Sequence, residues 1–503
     1  MFLEFYTKKS SMLKRRVNRI VWLTIIIFTS NSYSFSQNSV QQAIDNFASN
    51  AYFANASIGF LATDAQSGEV IASKNPNMAL SPASITKLFT TASAYQLLGK
   101  DYAPTTRIYI DGELSGEGVL FGNLWVRGAG DVSLGSRYYN GNGKETDFME
   151  KWADSLLKLG IKKINGAVYA DGSEFGYEGI PDGWNWGDMG NYYGAGASGL
   201  PIYDNMLRYH FSVGSKNGLK TTFLGTFPIV QGLTFNNYVY SGGSGDNCYI
   251  YGAPYSLDRF ATGTLGAGLG KFTVKGSLPD PELTFAQEFT RILKEKGIEV
   301  AKQPVSVRTL SPISAVSRYA SMKLFYSHKG KTLHSIAWWT NMKSVNLFAE
   351  ELLCWIGYAT TGNGSTENSL NRLKNYWSGK INLIGYNQTD GSGLSRSNAI
   401  SATHFCNLLN FMAKSVEYEH FFSSLPVAGV SGTLSSVCKN QVSEGHVFAK
   451  SGTMNRIKAY SGYVKTKAGR TLSFCIMVNN FNSSSDYVVS QMEKVFNAMT
   501  LFE

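Results

Sequence analysis

The chain is poor in charge, in histidine and in cysteine. Charged residues make up 16% of its 503 positions, against 43% apolar. That balance excludes a disordered chain or a coiled coil and is ample for sizeable buried cores. The length suits roughly two to four domains. There are five cysteines, Cys248, Cys354, Cys406, Cys438 and Cys475. No pair has metal-ligand spacing, which removes a zinc site. The odd count leaves room for one disulfide without assigning it. Cys354 and Cys475 lie in apolar runs and read as small core residues. There is no His-Glu-x-x-His, no Gly-x-Ser-x-Gly elbow and no phosphate-cradling glycine loop ending in Lys-Ser/Thr. Six histidines leave a Ser-His-Asp triad open by count, but no local motif places one. No repeat of fixed period and no low-complexity tract occurs.

The net charge of +10 is not a nucleic-acid signature. Residues 1–36 hold six basic side chains and one acid, and the other 467 carry 40 basic and 35 acidic groups. A surplus that small on a chain that long gives no case for nucleic acid. The basic start ends near Arg19, an apolar run covers Ile20 to Phe28, and a polar stretch from Thr29 follows. This pattern predicts a signal peptide over 1–36, cleaved near Ser34–Ser36. An apolar run of about nine residues is too short to span roughly 30 Å of hydrocarbon, although an uncleaved anchor is the rival reading. No cysteine follows the run to carry a lipid. No later stretch approaches the length of a membrane span, so the mature chain is expected to be soluble and exported, periplasmic or secreted.

Gly is abundant, at 51 residues, and aromatics reach 13%, which favours a turn-rich α/β or β-rich fold. Ser57–Thr63 and Glu69–Ser73 read as strands about a Gly68 turn. Pro82 opens a helix with Ile85, Leu88, Phe89, Ala92, Leu97 and Leu98 in an apolar stripe, stopped at Gly99. From about 104 to 310, short alternating segments between Gly, Asn and Asp indicate a β-rich insertion. Helical texture returns at Phe285–Lys296 and Ser344–Tyr358. Ala459–Thr466 and Thr471–Val478 form a hairpin, and a last helix carries Val488, Met492, Val495, Phe496 and Met499 on one face.

The remaining chemistry is a serine–lysine pair. In Ser84-Ile85-Thr86-Lys87, a spacing of three places the hydroxyl and the amine about one helical turn apart. The spacing alone is common: Ser11/Lys14, Ser155/Lys158 and Ser436/Lys439 share it. Only Ser84 follows a hairpin at the start of a Pro-initiated helix. Two further motifs stand in order behind it. Ser344-Val345-Asn346 precedes an apolar helix, and Lys450-Ser451-Gly452-Thr453 precedes the C-terminal hairpin. Together they form the serine, Ser-x-Asn and Lys-Ser/Thr-Gly set of penicillin-binding proteins and related β-lactamases.

The block Pro82 to Thr90, the block Asp390-Gly391-Ser392-Gly393-Leu394-Ser395-Arg396 and the block Leu425 to Leu434 resemble the class C low-molecular-mass penicillin-binding proteins. Those are D-alanyl-D-alanine carboxypeptidases and endopeptidases, and the likeness spans essentially the whole mature chain. Ser431 stands where the family more often has Asp, Val345 occupies a variable position, and Ser451 replaces Thr but keeps a hydroxyl. The resemblance implies an α/β fold: a penicillin-recognising serine transferase domain, an antiparallel sheet flanked by helices, with a large β-rich insertion of one or two extra domains. The expected division is 37–105 and 311–503 for the catalytic domain and 106–310 for the insertion.

It also implies a mechanism without metal or cofactor. Ser84 attacks the carbonyl between the terminal D-alanines of a peptidoglycan stem peptide. Lys87 is the base; lowering a lysine from about 10.4 to near neutrality costs about 4 kcal/mol. Burial and a second cation, Lys450, are expected to supply the shift. Ser344 relays the proton to the leaving nitrogen. Asn346 fixes Lys87 and binds the substrate backbone. Lys450 and Ser451 hold the terminal carboxylate, Gly452 admits the substrate strand, and the N–H groups of Ser84 and Thr453 form the oxyanion hole. β-Lactams are expected to acylate Ser84. From the resemblance alone, Asp188, Tyr193 and Arg396 face the cleft, where Asp188 would pair a cationic stem side chain. Rival readings are a β-lactamase or esterase on the same scaffold, and a catalytically silent cell-wall-binding protein.

Overall fold

The computed structural model describes residues 39–310 and 318–503; the expected signal peptide lies outside the described residues. A five-stranded antiparallel sheet joins the two ends of the chain. Its strands are β1 (Ser57–Asp64), β2 (Val70–Lys74), β3 (Val447–Met454), β4 (Ile457–Lys465) and β5 (Thr471–Asn479). They lie in the order β3-β4-β5-β1-β2, with every neighbouring pair antiparallel. β4 and β5 are buried along almost their whole length, so their apolar runs are continuous rather than alternating.

Two cores cover the two faces, and the strand period of two sorts residues between them. Leu61, Cys475 and Met477 pack into one core with α1 (Lys87–Leu98), α2 (Leu333–Met342), α3 (Asn346–Thr361) and α4 (Ala402–Met412). Their neighbours Phe60, Phe474 and Ile476 pack into the other, with a helix over 39–48 and α5 (Ser485–Thr500). All five cysteines are buried and free, so the room for a disulfide is not used.

The inserted region begins with an α/β layer. Thr105–Ile110 pairs antiparallel with Leu124–Arg127, which runs parallel to Val168–Asp171. Two helices pack beside it, Asp147–Lys158 and Pro281–Glu295. The second is started by Asp280, whose side chain accepts from Leu283 N at 2.9 Å, with Pro281 following. Two three-stranded sheets lie between, within residues 206–277. Lys323–Lys329 pairs with Thr105–Ile110. That strand lies past the 310 boundary expected from sequence, and we propose that the insertion ends near 330. Residues of the insertion reach back to the catalytic side: Trp184 Nε1 donates to Asp390 Oδ2 at 3.0 Å, and Ser198 N to Glu351 Oε1 at 2.9 Å.

Candidate active site

Ser84 sits half-buried in a tight 3₁₀ turn, Ala83–Thr86, that leads into α1. Ala83, beside it, has φ +48, a left-handed conformation costly for a residue with a Cβ. Lys87 is fully buried. Its Nζ lies 2.9 Å from Ser84 Oγ, 2.7 Å from Asn346 Oδ1 and 2.7 Å from the Ser392 carbonyl oxygen. Asn346, at the start of α3, donates its Nδ2 to the Tyr193 carbonyl at 2.8 Å. That bond turns Oδ1 toward the lysine.

The partners of Nζ suit both forms of the amine, since an ammonium can donate to all three of them. A neutral amine has two N–H donors and one lone pair. Asn346 Oδ1 and the Ser392 carbonyl can only accept, so they take the two hydrogens. The lone pair is left for the one partner able to donate, the Ser84 hydroxyl. Burial lowers Lys87 to about 7, while Asp390 and Glu350 pull the other way. Of the two sources expected for this lowering, burial and Lys450, burial is the dominant one. Lys450 is held well below its ordinary range by burial first and then by Lys87 and Lys458.

Lys450, on β3, is also fully buried. It donates to Ser344 Oγ and to the Ser451 carbonyl, both at 2.8 Å. Ser344 stands at φ +58 just before α3, a second strained residue at the site. The two lysines thus each hold a serine hydroxyl. Ser451 Oγ donates to Thr433 Oγ1 at 2.8 Å, which ties the Leu425–Leu434 block to β3. Gly452 passes against the Ala83–Thr86 turn: a Cβ there would lie 2.6 Å from the Pro82 carbonyl oxygen and 3.1 Å from Ser84 N. Only a residue without a side chain lets the strand come this close.

The family model for D-Ala-D-Ala carboxypeptidase 3 (S13) matches residues 40–499. The chain belongs to that family. A D-alanyl-D-alanine carboxypeptidase of an Actinomadura species is 27% identical over 446 residues, covering 84% of this chain and 78% of that protein. The D-alanyl-D-alanine carboxypeptidase DacB of Haemophilus influenzae is 24% identical over 451 residues, 85% of this chain and 86% of that one. Penicillin binding protein 4 from Haemophilus influenzae shares the fold, with a TM-score of 0.74 at 21% identity over 88% of this chain and 95% of that structure. The protein is thus a peptidase of the D-Ala-D-Ala carboxypeptidase kind.

The S13 site opens into a cavity of about 630 Å³ whose lining includes Ser84, Asp188, Tyr193, Asn346, Arg396 and Thr453. The three residues inferred only from resemblance are therefore brought to the same cleft as Ser84. Asp188 lies on a short helix, Trp186–Met189, and Arg396 is exposed at the rim. The Tyr193 hydroxyl is pushed up by burial and then by Asp188. No cluster of three or more His, Cys, Asp or Glu among the described residues could hold a metal ion.

Two acids behind Lys87 form a support that motif reading passes over. Glu350 on α3 is buried, and its two carboxylate oxygens accept from Gly391 N at 2.8 Å and Ser392 N at 2.7 Å. It so fixes the peptide whose carbonyl holds Lys87. Burial, then Asp390, pushes Glu350 up to about 8. Asp390, also buried, accepts from Gly393 N, Ser395 N, Asn398 Nδ2 and Trp184 Nε1. Asp390 belongs to a recognisable block. Glu350 had one available signal, a carboxylate on the apolar stretch after Ser-x-Asn, where burial needs a partner.

Proposed function

We propose that the protein is a serine DD-peptidase that cleaves peptidoglycan stem peptides through an acyl-enzyme on Ser84. The observation that carries this is the buried Lys87 amine 2.9 Å from Ser84 Oγ, which in its neutral form, with Asn346 Oδ1 and the Ser392 carbonyl taking its two hydrogens, leaves its lone pair for the hydroxyl proton. Lys87 takes the hydroxyl proton as Ser84 attacks the carbonyl of the penultimate D-alanine. The oxyanion forms against the N–H groups of Ser84 and Thr453. Ser344, held by Lys450 at 2.8 Å, relays the proton taken from Ser84 to the leaving nitrogen as the C–N bond breaks, so that Lys87 returns to the neutral amine and Ser344 keeps its hydroxyl. Water then hydrolyses the ester and Ser84 recovers its proton. The substrate's terminal carboxylate lies against Lys450, Ser451 and Thr433. Its arrival restores the ammonium form that burial disfavours at Lys450. Asp188 pairs a free amine on the third stem residue, with Tyr193 and Arg396 completing that pocket. β-Lactams acylate Ser84 by the same steps and deacylate slowly.

The substrate lies outside the cytoplasmic membrane, which fits the export signal expected at 1–36. Among the described residues no helix is long and apolar enough to cross a membrane. Incubation with purified muropeptides tests the reading. Release of free D-alanine or of split dimers, lost in Ser84→Ala, is the expected result. Intact muropeptides with wild-type protein would overturn it.

A further inference from the structure

Two cavities flank Asn346 and the Tyr192–Tyr193 pair. The larger contains Ser84 and Asp188. The second, of about 160 Å³, is lined by Arg137, Tyr138 and Asp204 from the insertion and by Lys343, Ser344 and Val345 from the catalytic side. Ser84 lines only the first and Ser344 only the second, while Asn346, Tyr192 and Tyr193 line both. On the reading above, Ser344 hands a proton to the leaving nitrogen. A cavity that opens on Ser344 therefore lies where the group attached to that nitrogen goes. Free D-alanine, six heavy atoms, has no need of a second chamber. The leaving amine of a cross-linked dimer has, because it belongs to another stem peptide, which carries free carboxylates.

The charges around the second cavity suit such a group. Arg137 is held over the rings of Tyr138, at 4.9 Å, and Tyr192, at 5.8 Å, and donates to Tyr138 Oη at 3.1 Å. Lys275 Nζ lies 6.0 Å from the Tyr192 ring centre, and Lys343 is exposed at the rim. Three acids face these cations, and one of them, Asp246, acts on Lys275. Asp204 lies 3.4 Å from Arg137 Nε and accepts from Ser136 Oγ at 2.5 Å. Glu145 is engaged by Arg208. Of the residues that line the chamber, Arg137 and Lys343 stand against the single acid Asp204, which leaves a cationic surplus.

We propose that this chamber is a leaving-group subsite for the carboxylate-bearing second stem peptide of a cross-linked dimer, and that Arg137 and Lys343 favour cross-link cleavage over trimming. The step balances as in the simpler reaction. The Ser84 ester forms, the C–N bond of the cross-link breaks, the proton that Lys87 took from Ser84 reaches the nitrogen through Ser344, and the second stem departs as a free amine.

The test compares kcat/KM on a purified cross-linked muropeptide dimer and on the monomeric pentapeptide. The dimer-to-pentapeptide ratio is expected to fall about fivefold in Lys343→Glu, and by a smaller factor in Arg137→Gln. A second arm needs no variant. Wild-type protein should cleave a dimer whose second-stem carboxylates are amidated about fivefold less efficiently than the free acid. An unchanged ratio together with indifference to amidation would overturn the subsite. So would an equal loss on both substrates, which marks a structural role. Wild-type protein that neither releases D-alanine nor is acylated by penicillin would instead sink the underlying peptidase reading, and the subsite with it.

Discussion

Replacing Gly452 by alanine tests how the site is assembled. The new methyl would sit 2.6 Å from the Pro82 carbonyl oxygen, 3.1 Å from Ser84 N and 3.2 Å from Ala83 Cβ. Carbon–oxygen contacts of this kind settle at about 3.3–3.6 Å, so roughly 0.7 Å must be found. The turn cannot yield it. Ala83 is buried and already strained at φ +48, and its carbonyl is packed against Gly393, where a Cβ would lie 2.0 Å away. β3 has to retreat, and Thr453 N and Lys450 move with it. A misplacement of about 1 Å costs on the order of 100-fold, and loss of an oxyanion donor about 100- to 1000-fold. Gly452→Ala is therefore expected to slow acylation by a labelled penicillin at least 100-fold. Overpacking should lower stability by about 1–3 kcal/mol, leaving the protein folded. Stopped-flow acylation beside a denaturant melt reads both. A folded variant acylated within about threefold of wild type would refute the argued contact and the place given to Thr453.

Other outcomes follow from individual residues. Ser344→Gly should relieve the φ of +58 and raise stability by about 1 kcal/mol, while acylation falls because Lys450 loses its hydroxyl partner; a melt and a rate measurement separate the two. Acylation should rise with pH and level off above about 7, because Lys87 is lowered to about 7 and its ammonium form has no lone pair for the Ser84 proton. A rate independent of pH between 5 and 9 would exclude Lys87 as base. Glu350→Gln keeps one oxygen but sets an NH₂ group against the N–H of Gly391 or Ser392, costing about 1–3 kcal/mol in denaturant unfolding and slowing acylation through the displaced Ser392 carbonyl. Asp188→Asn should raise KM for stem peptides with a free third-residue amine more than for their acetylated counterparts, as steady-state kinetics would show.

Much of the arrangement was legible, for physical reasons. The three motifs carry polar groups at spacings that a helix or a strand presents on one side, and the hairpins are marked by turn residues. Ser84 and Lys87 do meet across one turn, although the turn is 3₁₀ at Ser84. The insertion was harder. Asp147–Lys158 is a regular helix, yet it lies among Gly- and Asn-rich segments whose texture reads as strand and loop. The pairing of Lys323–Lys329 with Thr105–Ile110 joins strands more than two hundred positions apart, and no local pattern announces it. Glu350 lies on an apolar helical stretch, and only the fold reveals the two N–H groups it holds. The share of burial in the Lys87 shift, expected beside that of Lys450, could not be weighed for the same cause. Burial of a single amine depends on every element packed around it, whereas a nearby cation can be named from a motif.

Mass spectrometry of the intact chain and its peptides after penicillin treatment tests the central claim most directly. One adduct on the peptide containing Ser84, absent in Ser84→Ala and slowed at pH 5, is the predicted result. An unmodified Ser84 peptide, or an adduct on another serine, would contradict the account.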